Sequence, residues 1–363
     1  MRKKIAFLGW WTWGHVFPIK AMIEYMNKNS NISPVYWFGE RNSLESRQAK
    51  ETDNTIFIPM ISWKLRREKD IISLVKNFFD FFRILYGFFK SIVLLLKYNI
   101  DVVFCKWWYV ALPVLFAAWV LRKEIYVHES DTVPWLVNKL AAKMTSNVFL
   151  GFPWSIKNWE LVWQLLSDDI INFKKEEIDI TLSNLSNNTN IIVMWGSQGS
   201  YFLYKNILEL LESWKLDNYN FFVVLGSENK NLRKKFEKFD NVGCYEFLNQ
   251  KQIWYLYNIC DIGITRGGAT SLAEQKIFGL KLIIVPLPYT GGNHQYYNAL
   301  YYQKEFDDIL ISQDNNFSVN LLEILNKLDW FKKNSESQQK DKIQDWIKNV
   351  VSRLFEENNL KKS

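Results

Sequence analysis

The sequence predicts an α/β fold of two Rossmann-like domains whose parallel sheets face a cleft. Three observations carry this. Short apolar runs alternate with helical patterns, the arrangement that gives parallel sheets of the doubly wound type. A strand–loop–helix opening at residues 4–26 recurs at 190–212. The chain of 363 residues is too long for one comfortable hydrophobic core.

The first series opens with a strand at 4–8 and a loop at 9–15. Ile19, Met22, Ile23 and Met26 then fall at i, i+3, i+4 and i+7, one face of a helix. Further strand-like runs lie at 101–105, 125–129 and 147–152, separated by helical stretches. Residues 167–190 turn polar and end in SNLSNNTN, which reads as linker or loop. The second series places strands at 190–194, 221–225, 242–247, 261–265 and 282–286. Ile347, Val350, Val351 and Leu354 mark a final amphipathic helix. The expected division is 1–162 and 163–342, with helix 343–363 packing back on the first domain.

With 48% hydrophobic and 23% charged residues, this is an ordinary folded chain. Cys105, Cys244 and Cys260 form no CxxC pair and cluster with none of the three histidines, so neither a disulfide nor a structural zinc is expected. The opening MRKKIAFLG is basic, but its apolar run is too short for a signal peptide. The net charge of +7 is uneven. Lys64, Arg66, Arg67, Lys69, Lys76, Arg83, Lys90 and Lys97 stand against Glu68, Asp70 and Asp80, a local excess of five cations. Nucleic acid and an anionic membrane are the two partners such a patch suits.

Several loops carry chemistry. MWGSQGS (194–200) follows a strand and opens a helix, where backbone N–H groups, the Ser197 hydroxyl and the Gln198 amide suit a diphosphate. The other reading is a plain structural turn. In RGGATSLAE (266–274), Glu274 lies in the first turns of a helix. It suits a ribose edge, since one carboxylate accepts from both hydroxyls, or it is a capping residue. His15, at the end of the first loop, is either a structural hydrogen-bonder or a base titrating near working pH. Glu129 and Asp131 in HESD, after a strand, are rival bases. No DxD-type carboxylate pair stands in a matching loop, so no metal or other cofactor is expected.

Four ordered segments carry a resemblance: GWWTWGHVFP (9–18), HESDTVPWLVNKLA (128–141), MWGSQGS (194–200) and TRGGATSLAEQKIFGLKLIIVPLPYTGGNHQYYNAL (265–300). Together they resemble the MurG family, the muramyl-acceptor N-acetylglucosaminyltransferases of glycosyltransferase family 28. The resemblance implies the GT-B architecture. It also implies inverting transfer of GlcNAc from UDP-GlcNAc to the C4 hydroxyl of undecaprenyl-diphospho-MurNAc-pentapeptide, in peptidoglycan synthesis. It places Ser197 on the nucleotide, Ala269, Thr270, Ser271, Leu272, Ala273 and Glu274 on the donor with Glu274 on the ribose, and Leu248 at the backbone that reads uracil. Gln295, beside His294, matches the glutamine that holds the GlcNAc hydroxyls, and Thr12, Trp13 and Gly14 match the loop that contacts acceptor and sugar. Two departures stand out. Asp131 occupies a position commonly Asn in the family, which adds a negative charge near a diphosphate. Ser167 falls where the family has a donor-contacting arginine, so that cation's task weakens or passes to another residue.

The family also has glycine where this chain has Trp10, Trp11, Trp13, Trp107, Trp108, Trp135, Trp163 and Trp195, and Trp63, Trp119, Trp154 and Trp159 look similar. There are 17 Trp and only 15 Gly; converting those twelve raises glycine to 27, about the ordinary 7%. We read them as UGA codons meaning glycine, translated as tryptophan; other codons at Trp10, Trp11 and Trp13 would end this reading. Bare turns let backbone approach a ligand, and indoles retained there would block both substrate sites.

Segment 71–98 is densely apolar, yet Lys76, Arg83, Lys90 and Lys97 recur every seven residues, close to one helical stripe. A spanning helix needs about 20 mostly uncharged residues, and no such run exists here. An interfacial surface meeting acidic lipids through 64–98 is one reading, and core helices with a solvated basic edge are the other. Phe, Leu and Ile between the cations argue against nucleic acid. The resemblance implies a peripheral place on the cytoplasmic membrane face, with cell-wall synthesis proteins as further partners. Rival functions are a related lipid glycosyltransferase, such as one acting on diacylglycerol, and a catalytically silent nucleotide-sugar-binding scaffold.

Overall fold

The computed structural model describes residues 3–9, 13–29, 33–61, 71–106, 111–134, 136–141, 143–153, 159–170, 173, 188–196, 199–226, 228–288, 291–328, 331–333 and 340–355. The chain divides into two compact units, residues 1–168 with 342–363, and residues 169–341. Each holds one sheet in which every pairing is parallel.

The first unit runs β1 (Ile5–Leu8), α1 (Trp13–Asn29), β2 (Val35–Glu40), α2 (Leu44–Glu51), β3 (Thr55–Met60), α3 (Ile71–Lys97), β4 (Val102–Cys105), α4 (Leu112–Val120), β5 (Glu124–Glu129), α5 (Leu136–Ala141), β6 (Asn147–Leu150) and β7 (Trp159–Leu161). Its strand order is β3-β2-β1-β4-β5-β6-β7. β1 and β4 are buried throughout, as strands covered by helices on both faces must be. Ile19, Met22, Ile23 and Met26 of α1 are buried against one face, as their spacing predicts.

The sequence reading lacks β2, β3 and β7. Val35, Tyr36, Trp37 and Phe38 of β2 are all buried, and a short apolar run of that kind has no period to separate strand from helix. β3 carries Pro59, tolerated because the strand lies at the sheet edge. β7 has three residues and is largely exposed.

The second unit runs β8 (Thr189–Met194), α6 (Tyr201–Ser213), β9 (Tyr219–Val224), α7 (Arg233–Phe236), β10 (Val242–Tyr245), α8 (Gln250–Ile259), β11 (Ile262–Thr265), α9 (Ala269–Ile277), β12 (Lys281–Ile284), α10 (His294–Phe306), β13 (Ile309–Leu310) and α11 (Phe317–Leu328). The strand order is β10-β9-β8-β11-β12-β13. The last helix, α12 (Lys340–Phe355), returns to the first unit. Its Ile347, Val350, Val351 and Leu354 are buried in that unit's core, each worth about 1.5–3 kcal/mol of apolar burial. The Tyr126 hydroxyl donates to the Arg353 carbonyl at 2.8 Å.

Segment 71–97 is one helix of 27 residues. Ile84, Phe88, Ile92 and Leu95 pack inward, while Phe78, Phe79, Phe82, Tyr86, Phe89 and Val93 are exposed. The seven-residue cation series is partly tied down. Arg83 pairs with Asp80 at 2.8 Å, Lys90 donates to the Pro59 carbonyl at 3.0 Å, and Lys97 lies over the Tyr98 ring. No helix among the described residues is long and apolar enough to cross a membrane.

Candidate active site

In a doubly wound sheet, ligands collect outside the carboxyl ends of the strands where the strand order reverses. In the first unit the reversal lies between β1 and β4, and in the second between β8 and β11.

At the first unit's reversal, Leu8 pairs with Cys105 and the Lys106 N–H donates to the Leu8 carbonyl at 2.8 Å. Lys106 therefore caps β4 beside His128 of β5, since Cys105 pairs with Val127. Its side chain is 0% exposed. Nζ lies 3.0 Å from His128 Nδ1 and 2.8 Å from Ser130 Oγ. His128 Nε2 lies 2.9 Å from the Trp163 carbonyl, which only accepts, so Nε2 carries the proton and Nδ1 takes a bond from the lysine. Burial, and then the Lys106 charge, hold this imidazole well below its ordinary pKa. Burial brings Lys106 itself down to about 7, against the pull of Asp131 and Glu129.

The rival bases separate here. Glu129 is buried; its Oε1 accepts from the Asp131 N–H at 2.9 Å and its Oε2 from Asn138 Nδ2 at 2.8 Å. That carboxylate is fastened into the turn, an anchoring arrangement rather than that of a base presented to a ligand. Asp131 is half-buried at the same edge. Gln164 Nε2 donates to the Ser130 carbonyl at 2.7 Å and fixes the turn from below. His15 and Gly14 lie in the first turn of α1, half-buried, with His15 near enough to add to the depression of His128. Trp13 opens that helix; Thr12 lies outside the described residues. Ser167 is half-buried in the segment after β7.

At the second reversal, Thr265 pairs with Met194. Gly196 has φ +73° with open space where a Cβ would stand. Gly199 has φ +79°, and a Cβ there would strike the Leu225 carbonyl oxygen at 2.0 Å, so only glycine fits. Ser197 and Gln198, between them, lie outside the described residues. Ser200 caps α6 by accepting from the Leu203 N–H. After β11, Gly267 is pressed against the Gln295 backbone, where a Cβ would come within 2.2 Å of its oxygen. This contact and the bond from Asn298 Nδ2 to the Gly267 carbonyl (2.9 Å) bring the start of α10 to the head of α9.

The donor residues expected from sequence gather at this edge. Ala269, Leu272 and Ala273 are buried; Thr270, Ser271 and Glu274 are half-buried. Gln275 holds Ser271 Oγ at 3.2 Å and Thr265 Oγ1 at 3.1 Å. Withdrawal of the carboxyl group from water pushes Glu274 up to about 7. Gln250 approaches it at 3.5 Å, and the buried Trp254 indole N–H comes near without closing a hydrogen bond. Gln295 Oε1 accepts from the Leu287 N–H at 3.0 Å, and His294 opens the same helix. Leu248 is buried between β10 and α8.

Two residues escaped the sequence reading. Arg266 lies 5.5 Å over the Trp195 ring, with Nε buried and unpartnered and no ion pair among the described residues. Burial lowers its pKa. The available signal was a cation beside paired glycines in a strand-to-helix loop. Lys106 was the other, a lysine closing an otherwise apolar strand. Among the described residues, no group of three His, Cys, Asp or Glu could hold a metal ion.

Family models match both units in order: the glycosyltransferase family 28 N-terminal domain over residues 5–150 and its C-terminal domain over 190–354. Relatives named UDP-N-acetylglucosamine–N-acetylmuramyl-(pentapeptide) pyrophosphoryl-undecaprenol N-acetylglucosamine transferase include the following two. One, from Borreliella burgdorferi, is 29% identical over 90% of this chain and 88% of its own length. The other, from Clostridium botulinum, is 27% identical over 96% of this chain and 98% of its own. Among solved structures, Acinetobacter baumannii MurG superposes with TM-score 0.71 at 19% identity, covering 97% of this chain and 99% of that one. A Neisseria meningitidis UDP-GlcNAc 2-epimerase reaches 0.65 at 14%, covering 98% and 99%, so these two agree in fold. With both domain models matched in sequence, the chain belongs to glycosyltransferase family 28.

Proposed function

We propose that the chain transfers GlcNAc from UDP-GlcNAc, with inversion, to the C4 hydroxyl of undecaprenyl-diphospho-MurNAc-pentapeptide. The observation that carries this reading is near full-length likeness, in unbroken order, to transferases named for that donor and acceptor. In this reading the second unit takes the donor. Gly196, Gly199 and the head of α9 offer bare backbone to the diphosphate, and Glu274 takes the ribose. Arg266 supplies the cation that Ser167 lacks.

The first unit takes the acceptor. His15 removes the C4 hydroxyl proton as that oxygen attacks the anomeric carbon, and UDP leaves with its charge offset by helix ends and Arg266. Asp131 is the second candidate base. Phe78, Phe79, Phe82 and Phe89 on the outer face of α3, with Lys76 and Arg83, form the surface by which the enzyme meets anionic lipid on the cytoplasmic side.

The test is UDP release and disaccharide formation by the purified protein, made with glycine at the twelve Trp positions named above, with UDP-GlcNAc and the muramyl lipid in detergent. A β-1,4 product is expected. Transfer to diacylglycerol alone, or donor binding without turnover, overturns the reading.

A further inference from the structure

Lys106 is a fully buried ammonium whose direct partners, His128 Nδ1 and Ser130 Oγ, are both neutral. Burying a lysine without a contacting carboxylate is costly, and such a residue normally loses its proton or finds countercharge nearby. Countercharge comes from Asp131 and Glu129, which flank its hydrogen-bond partner Ser130. Glu129 is fastened by Asn138 and the Asp131 N–H, while Asp131 is half-buried at the sheet edge. Besides these two acids, the titratable groups acting on this cluster among the described residues include His128 and His15. Counting Lys106, Glu129 and Asp131 alone, the ammonium lowers the negative charge of this trio from two to one.

We propose that Lys106 is a positioning residue of the acceptor side. Its ammonium offsets Asp131 and holds His128 as the Nε2–H tautomer, so that a diphosphate-bearing acceptor meets a turn of reduced negative charge. This rests on the reading that the muramyl lipid approaches residues 128–131. Because burial brings Lys106 down to about 7, the offset is present below neutral pH and fades above it. Acceptor binding therefore takes up a proton, and acceptor affinity falls as pH rises through 7.

The experiment measures kcat and acceptor KM from about pH 6 to 9 for wild type, K106M, D131N and the double variant, each made with glycine at the twelve Trp positions read as UGA codons, using UDP-GlcNAc and undecaprenyl-diphospho-MurNAc-pentapeptide. At pH 6, K106M is expected to raise acceptor KM about tenfold, with kcat and UDP-GlcNAc KM far less affected. The gap closes by pH 9, where wild type has lost its ammonium. Adding D131N to K106M recovers most of the loss. A K106M defect that is equal at every pH, or that D131N leaves untouched, overturns the proposal. So does a K106M chain that fails to fold with or without D131N, since Lys106 is then structural alone. A wild type silent with the muramyl acceptor removes the functional reading itself, an outcome distinct from an active wild type with a pH-independent K106M.

Discussion

The two strand-order reversals are built alike and furnished in opposite ways. At the β1/β4 edge the turn 128–131 is tied largely from within, although Asn138 Oδ1 and Gln164 Oε1 beside it make no hydrogen bond among the described residues. Both nitrogens of His128 and both oxygens of Glu129 have protein partners, and a buried lysine sits beneath them. At the β8/β11 edge the chain offers glycines, open space and an arginine without an acidic partner among the described residues. One edge spends its polar groups on holding its own shape. The other presents glycine turns and a cation. Arg266, with a buried Nε that makes no hydrogen bond among the described residues, gives the second edge a cation beside its glycine turns, the furnishing that an anion site needs.

The contrast breaks most readily at Arg266. R266A should weaken UDP by about 10- to 100-fold while uridine changes little, because a charge-assisted bond to phosphate is worth about 1.5–3 kcal/mol. Calorimetric titration of both ligands reads this, and equal losses for the two would remove Arg266 from the diphosphate. Asn138→Ala tests the opposite edge. It strips the donor from a buried carboxylate oxygen and should cost about 2–3 kcal/mol of stability with UDP affinity unchanged. Unaltered thermal melting would show that the turn is not held this way.

The edges should also answer pH with opposite signs. The folded Lys106 pKa lies below the unfolded value of 10.5, so its contribution to stability is full above 10.5 and lost as pH falls to about 7. The folded Glu274 pKa, about 7, lies above its unfolded 4.5, so its contribution is full below 4.5 and lost as pH rises through 7. Against wild type, K106M should flatten the upper limb of the melting profile and E274Q the lower. UDP-GlcNAc affinity should rise with pH through 7 as Glu274 ionises, and E274Q should abolish that rise.

The smallest effect is expected at Trp163. Its φ of +58° is a left-handed conformation that suits glycine, yet its ring stacks on Trp346 at 6.0 Å. W163G should exchange relieved strain of about 1–2 kcal/mol for lost contact and move stability by no more than about 1 kcal/mol. A loss comparable to other large-to-small core changes would argue that tryptophan is native there.

Much of the frame was legible in sequence, because buried parallel strands and amphipathic helices write their periods plainly. Ile347, Val350, Val351 and Leu354 named a core face that is now seen buried. The short strand at Val35–Glu40 and the edge strand bearing Pro59 had no such period. The glycine turn and Glu274 were visible as a strand-to-helix loop. Lys106 and Arg266 were not, because their meaning comes from neighbours far along the chain. A lysine after a strand signifies little until His128, Ser130 and Asp131 are seen around it. Glu129 illustrates the converse: HESD looked like a rack of acids until Asn138 and a backbone N–H proved to occupy one of them.

The return of α12 to the first unit has a consequence for synthesis. Residues 1–168 leave the ribosome long before Ile347, Val350, Val351 and Leu354, which fill their core. The first unit thus remains an open, apolar-faced intermediate while the whole second unit is made. A fragment cut at the break after Asp168 should behave as an aggregation-prone chain needing chaperone cover, and adding residues 340–355 as a separate peptide should rescue it.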